Sequence, residues 1–265
     1  MARSIVGRMD EVQVDKKDGV ATVTLNRPHV KNACTPEMWS ELHRVYTELG
    51  FDDDVRCVIV TGAGTDFCAG ADVSGDRSER KTHQLQGMRT VGACCQALFE
   101  MPKVTIARVD GVAVGAGLNM ALACDFVLAS ERSRFSEIFA KRGLDVDFGG
   151  SFLLPRIVGM QRAKEMILLA DIYSAAEAAE MGLVNRVVPA DELDELVQDW
   201  ASRAAGGPPR ALAVSKALLN KSFTSTLNEA LDGEGLGQTF QFYTKDTTEA
   251  MLAWREKRDP EFTGW

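Results

Sequence analysis

Asp110-Gly-Val-Ala-Val-Gly115-Ala-Gly117-Leu-Asn119-Met-Ala-Leu-Ala-Cys124-Asp125 follows an apolar run, Val104 to Val109, and passes through two closely spaced glycines into a second apolar run. The first run reads as a buried strand and the second as a helix. The N–H groups of the helix's first turn then have no intrahelical acceptor, and the positive end of the helix dipole lies behind them. Such a turn stabilises an oxyanion. Close helix–strand packing is the other reason to place glycines there, and this segment alone leaves both open.

Working outward, Phe126 to Ala129 returns as a strand. Upstream, Val55 to Thr61 is a short apolar strand, and a helix is predicted from about Gln84 to Phe99, stopped near Pro102. Nearer the start, Val12 and Val14, then Val23 and Leu25, flank Lys16-Lys17-Asp18-Gly19, which predicts a β-hairpin. Thr35-Pro36 then supplies a cap and a first-turn proline for a helix carrying Met38, Leu42, Val45 and Leu49 on one face. The recurring strand–strand–helix order predicts a right-handed wound α/β core. Beyond Ser151 the pattern is mostly helical, with a capping box at Ser174-Ala-Ala-Glu177, a stop at Gly182 and a last strand from Leu183 to Val188. Gly206-Gly207-Pro208-Pro209 breaks the chain into a core, 1–205, and a helical C-terminal region, 206–265, whose apolar faces need the core or a neighbouring subunit to cover them.

Composition bounds the function. The chain has 265 residues, 45% hydrophobic and 26% charged, which suits a globular protein and excludes collagen-like or disordered readings. Its formal charge of −8 makes nucleic acid an unfavoured partner, so an anionic ligand must be held by a few placed groups. The six cysteines form no C-x-x-C pair and no zinc spacing, so they read as buried thiols in a reducing compartment, with no metal expected. Neither a signal peptide nor a membrane-spanning run of ~20 apolar residues is evident, and a cytoplasmic protein is expected.

Two further segments carry chemistry. In Phe67-Cys-Ala69-Gly70-Ala71-Asp72, small residues in series let a ligand approach the main chain, although a tight surface turn would read the same. In Lys141-Arg-Gly-Leu-Asp145-Val-Asp147-Phe148-Gly149-Gly150-Ser151, Asp147 sits among apolar neighbours where its basicity would rise, or else it or Ser151 caps the next helix. Val58-Ile-Val-Thr-Gly62-Ala-Gly64 mimics a dinucleotide-binding turn, but Phe67 replaces the third glycine and no helix pattern follows. With no G-x-S-x-G, and with His29, His43 and His83 lacking a local nucleophile, a hydrolase triad is unsupported.

Taken in order, these segments resemble the crotonase superfamily, the enoyl-CoA hydratases and isomerases. The resemblance extends through Asn26-Arg27-Pro28, Cys124-Asp125, Leu153-Leu154-Pro155-Arg156, the Ala178 to Val184 stretch and Trp254 to Arg258, nearly the whole chain. It implies a crotonase-like spiral of ββα units with a helical C-terminal region that makes homotrimers or homohexamers. It implies an acyl-CoA thioester substrate, no nucleic acid or membrane partner, and no cofactor beyond the coenzyme A of the substrate. The oxyanion hole would be the N–H groups of Ala71 and Ala116. Coenzyme A would lie against Ala69, Gly70, Ala71 and Asp72, with Lys257 reaching its phosphates in a neighbouring subunit, and the stretch from Ser74 to Arg89 would line much of the acyl pocket.

Departures from the hydratase pattern decide the expected reaction. The two hydratase glutamates are replaced by Asn119 and, without gaps, Phe139, neither of which is a general base. Asp147 stands where ring-1,2-epoxyphenylacetyl-CoA isomerase and some enoyl-CoA isomerases carry their single acid. One carboxylate moves one proton but does not easily also position a water. The expectation is therefore an enoyl-CoA isomerase, with an enoyl-CoA hydratase or a catalytically weak acyl-CoA-binding scaffold as alternatives. Glu137 reaches the second glutamate position only through a local gap.

Overall fold

The computed structural model describes residues 11–74 and 83–265. The predicted hairpin is present as β1 (Val12–Lys17) and β2 (Val20–Leu25), paired antiparallel. α1 (Pro36–Phe51) starts where expected, the Thr35 side chain accepting from the N–H of Met38. It is followed by β3 (Cys57–Gly62), α2 (Gln84–Phe99) and β4 (Val104–Val109). After β5 (Val112–Val114) come α3 (Ala116–Leu122), β6 (Phe126–Ser130) and β7 (Arg134–Ser136).

The second half holds α4 (Gly150–Val158), α5 (Met160–Leu169), β8 (Tyr173–Ser174), α6 (Ala175–Glu180) and β9 (Arg186–Val188). α7 (Leu193–Ala205) ends at the Gly206–Pro209 breaker, beyond which lie α8 (Pro209–Lys221), α9 (Leu227–Gln241) and α10 (Lys245–Glu256).

Strands β1-β2-β3-β4-β6-β9 form the main sheet, parallel except for β1, and β5-β7-β8 form a smaller one. The run Cys57-Val-Ile-Val60 is apolar throughout because this sheet is covered on both faces. Cys57 and Ile59 belong to the core formed with Leu193, Val197 and Ala201 of α7. Val58 and Val60 belong to the larger core formed with Met38, Leu42 and Leu98 of α1 and α2.

The strand–strand–helix order recurs, in agreement with the spiral of ββα units expected from sequence. Because the strands are parallel, the loops leaving β2, β3 and β4 gather at one end of the sheet, and all three candidate segments lie there or pack beside it.

The helical C-terminal region is fastened by polar links. Lys216 of α8 bonds the Asp125 carboxylate at 2.8 Å, and that carboxylate also accepts from the N–H and hydroxyl of Thr105. This anchoring gives the Cys124-Asp125 pair a structural task.

Candidate active site

The loop after β3 is zipped into place on two sides. On one side Val114 N–H donates to the Cys68 carbonyl and Cys68 N–H to the Val112 carbonyl, pairing the loop with β5. On the other side Cys34 N–H donates to Gly70 O, and Asp72 N–H to Cys34 O. This bridge between Cys34 and Ala71 leaves the Ala71 N–H outside its pairing.

Ala116 is the first residue of α3, so its N–H has no intrahelical acceptor. Gly70, at φ +90°, separates the two candidate donors: a Cβ there would lie 2.9 Å from Val114 O and 3.5 Å from the Ala116 nitrogen. A Cβ on Gly117 would lie 2.3 Å from Cys68 O. These glycines therefore serve both readings left open by the sequence: they allow close packing, and that packing brings the Ala71 loop beside the start of α3.

Gly70 thus sits against the start of α3, with Ala69, Ala71 and Asp72 flanking it in the same loop. The Asp72 carboxylate is engaged within the protein. It pairs with Arg27 at 2.8 Å and accepts from the N–H and hydroxyl of Ser74, first among the bonds that hold its pKa down to about 2. Arg27 also bonds the Ala33 carbonyl at 2.7 Å, so Asp72 ties the loop to the segment after β2. Lys257 is exposed at the C-terminal cap of α10, at φ 57°, in the helical region. Of the stretch expected to line the acyl pocket, residues 75–82 lie outside the described residues.

Asp147 does not cap α4. The capping position is Gly149, without a side-chain hydrogen bond, and Gly150 N–H donates to the Asp147 main-chain carbonyl at 3.0 Å. The turn is made by Phe148 and Gly149, at φ 47° and 75°. A left-handed phenylalanine costs about 1–3 kcal/mol and persists only where surroundings hold it. Here Phe148 is buried, its ring 5.4 Å from that of Trp39, and its carbonyl accepts from the Cys95 thiol. The Asp147 carboxyl is mostly buried, and its Oδ1 has no hydrogen-bond partner among the described residues. Burial, with a smaller contribution from Asp145, raises its pKa to about 6. A carboxylate so placed is a stronger base than one in water and is still ionised at neutral pH.

Phe139 is buried, and the place a Cβ would take on Gly115 lies 3.5 Å from its ring. It therefore packs beside the glycine that precedes the candidate Ala116 donor. Asn119, on the first turns of α3, is also fully buried and donates to the Asp147 carbonyl at 3.0 Å and to Glu137 Oε2 at 3.3 Å. Sequence reasoning noted Asn119 as a departure from the hydratases and a match to the single-acid isomerases, and Glu137 only as an alternative; it did not bring the two together. The pairing of β5 with β7, which carries Glu137 to α3, leaves no local signal.

Comparison with known proteins identifies the family. The model of the family described as Enoyl-CoA hydratase/isomerase matches residues 15–265. A 1,2-epoxyphenylacetyl-CoA isomerase of Escherichia coli (strain K12) is 37% identical over 251 residues, covering 93% of this chain and 95% of the relative. A short-chain-enoyl-CoA hydratase of Clostridium acetobutylicum is 35% identical over 260 residues, covering 96% and 97%. The crystal structure of an enoyl-CoA hydratase from Bacillus anthracis superimposes with a TM-score of 0.91 at 31% identity, covering 97% of this chain and 100% of that one. The relatives thus divide between isomerase and hydratase names, while fold, matched length and identity all agree that the chain belongs to the enoyl-CoA hydratase/isomerase family of the crotonase superfamily.

Proposed function

We propose that this family member is an enoyl-CoA isomerase that shifts a double bond by moving one proton. The observation that carries the reading is the contrast at the site: Asp147 is a desolvated carboxyl with a free oxygen, whereas the two hydratase glutamate positions hold Asn119 and Phe139. The N–H groups of Ala71 and Ala116 polarise the thioester carbonyl. Asp147 takes a proton from C2 of a 3-enoyl-CoA, and the electron pair of that C–H bond enters a dienolate whose negative charge rests on the thioester oxygen. The same proton returns at C4, and the double bond is left between C2 and C3. Coenzyme A lies along Ala69 to Asp72, with Lys257 of a neighbouring subunit at its phosphates, and no further cofactor takes part.

Absorbance separates this reading from its alternatives. With 3-hexenoyl-CoA the protein gains conjugated enoyl thioester; with crotonyl-CoA and water, conjugation is retained. Loss of conjugation from crotonyl-CoA without a gain from 3-hexenoyl-CoA would make the protein a hydratase, and no change with either substrate would make it a binding scaffold.

The same reading requires assembly. Leu227, Leu236, Phe242 and Trp254 on and beside α9 and α10 are each two-thirds or more exposed in the single chain, apolar surface that a neighbouring subunit would bury. A homotrimer or a dimer of trimers covers it. Light scattering at micromolar concentration is expected to give three or six times the chain mass of 28.9 kDa, and a stable monomer would remove the role given to Lys257.

A further inference from the structure

Glu137 is a fully buried acid that the proton transfer described above does not use. It stands where β7 ends and a short 3-10 turn, Ile138–Arg142, begins, and Asn119 of α3 donates to its Oε2. Among the described residues its Oε1 has no partner, and neither does the side-chain oxygen of Asn119, so two buried acceptors lack a donor in one cluster. Asn119 is clamped from the opposite side: a Cβ on Gly150 would fall 2.4 Å from its side-chain nitrogen and 2.6 Å from its oxygen. The same nitrogen holds the main-chain carbonyl of Asp147. The amide therefore joins three elements: the end of β7, the start of α4 and the loop that carries the candidate base.

From this geometry we propose that Glu137 is a positioning residue: as a neutral acid it fixes the Asn119 amide and, through it, the main chain at Asp147. A proton on Glu137 supplies the donor that Asn119 Oδ1 lacks, closing an acid–amide pair with the N–H already given to Oε2. The proposal rests on the reading of Asp147 as the base.

The electrostatics support a neutral acid. Burial, opposed by the Asn119 hydrogen bond and assisted by the charge of Asp147, pushes the Glu137 pKa up to about 8. Among the described residues, Asp145 and the Cys95 thiol of α2, the latter pushed up by burial to about 12, couple electrostatically with Asp147. Both are acids, so their ionisation adds negative charge. Once Glu137 ionises, its own charge draws the Asn119 N–H away from Asp147 O and opposes a developing enolate. Turnover then falls above about pH 8, beyond the rise through about 6 on which Asp147 becomes a base.

Glu137→Gln cannot ionise, and its amide both donates to and accepts from Asn119. With 3-hexenoyl-CoA it is expected to keep kcat within a few-fold at pH 7 and to lose the fall near pH 8. Glu137→Leu is expected to lower kcat about tenfold with little change in KM. An unaltered alkaline fall in Glu137→Gln, or full kcat in Glu137→Leu, would overturn the proposal. If the leucine variant does not fold, the glutamine profile still decides. Infrared difference spectra of parent against Glu137→Gln provide a readout independent of turnover. They are expected to contain a protonated carboxyl band at pH 7 that disappears above about pH 8 and shifts in Asn119→Ala. Absence of the band, or no shift in Asn119→Ala, overturns the positioning role and leaves the isomerase reading standing. An active Asp147→Asn with the band intact would instead sink that reading and keep the acid–amide pair.

Discussion

Asp147→Asn is expected to lose Δ3→Δ2 isomerisation by about 10²–10⁴-fold while acyl-CoA binding stays within a few-fold. Asparagine keeps the side-chain shape but cannot accept the C2 proton at neutral pH. Under the proposed reading, binding rests on main-chain groups and on phosphate contacts, which the substitution leaves in place. The parent enzyme should gain activity as pH rises through about 6, because the ionised carboxylate is the working form.

The same substitution should raise stability. The Asp147 pKa is higher in the folded chain than the 3.8 of a solvated aspartate, so folding favours its neutral form. That favourable contribution is fully present below the unfolded value and is lost as pH rises through about 6, leaving the folded state at pH 7 burdened with a desolvated charge. Removing the charge is worth up to about 2–3 kcal/mol, reduced by the solvent that still reaches the carboxyl. A variant that is both inactive and higher-melting at pH 7, with the difference vanishing toward pH 4, fits these signs. An active Asp147→Asn would remove the assignment. Glu137→Gln and Asp145→Asn should both retain most activity.

Most of the scaffold was legible because its elements carry a period. The hairpin from Val12 to Leu25 alternates, α1 repeats apolar residues at Met38, Leu42, Val45 and Leu49, and both are found where the pattern put them. The small sheet was not legible: β5 and β7 are three residues long and β8 two, too short to show alternation, and β5 lies inside the glycine-rich segment between the predicted strand and helix. The glycines of that segment could be read as places of close approach, because a missing side chain is a local fact. What they approach could not, since Cys68 O against Gly117 and the Asn119 amide against Gly150 are contacts between distant parts of the chain. Asp72 illustrates the limit: its sequence position suggested a ligand-facing edge, while its carboxylate is engaged by Arg27 and Ser74. Asp147 stood out because apolar residues flank it in sequence, and in the fold its carboxyl is mostly buried. Glu137 did not, because its burial depends on β7 pairing with β5.

Ala116→Pro tests the other half of the chemistry. Ala116 is the first residue of α3, where the N–H is outside the helical ladder and proline's fixed φ is tolerated. The residue before a proline must avoid the right-handed helical region, and Gly115, at φ 57° and ψ −128°, lies well away from it, near the mirror image of the extended conformation. Gly70 leaves room opposite the Ala116 nitrogen, since even a Cβ there would stand 3.5 Å away. The variant should therefore fold with little loss of melting temperature. Under the proposed reading it loses one of two donors to the thioester oxygen, and removing one such donor costs roughly 2.7–4 kcal/mol of transition-state stabilisation, or about 10²–10³ in turnover. The loss should appear in kcat more than in KM, because the oxygen carries little charge until the C2 proton leaves. A folded Ala116→Pro that turns over 3-hexenoyl-CoA at the parent rate would place the oxyanion hole elsewhere. A large fall in kcat, with the Asp147 rise through about pH 6 retained, would assign polarisation to this helix start and proton transfer to the carboxylate as separable steps.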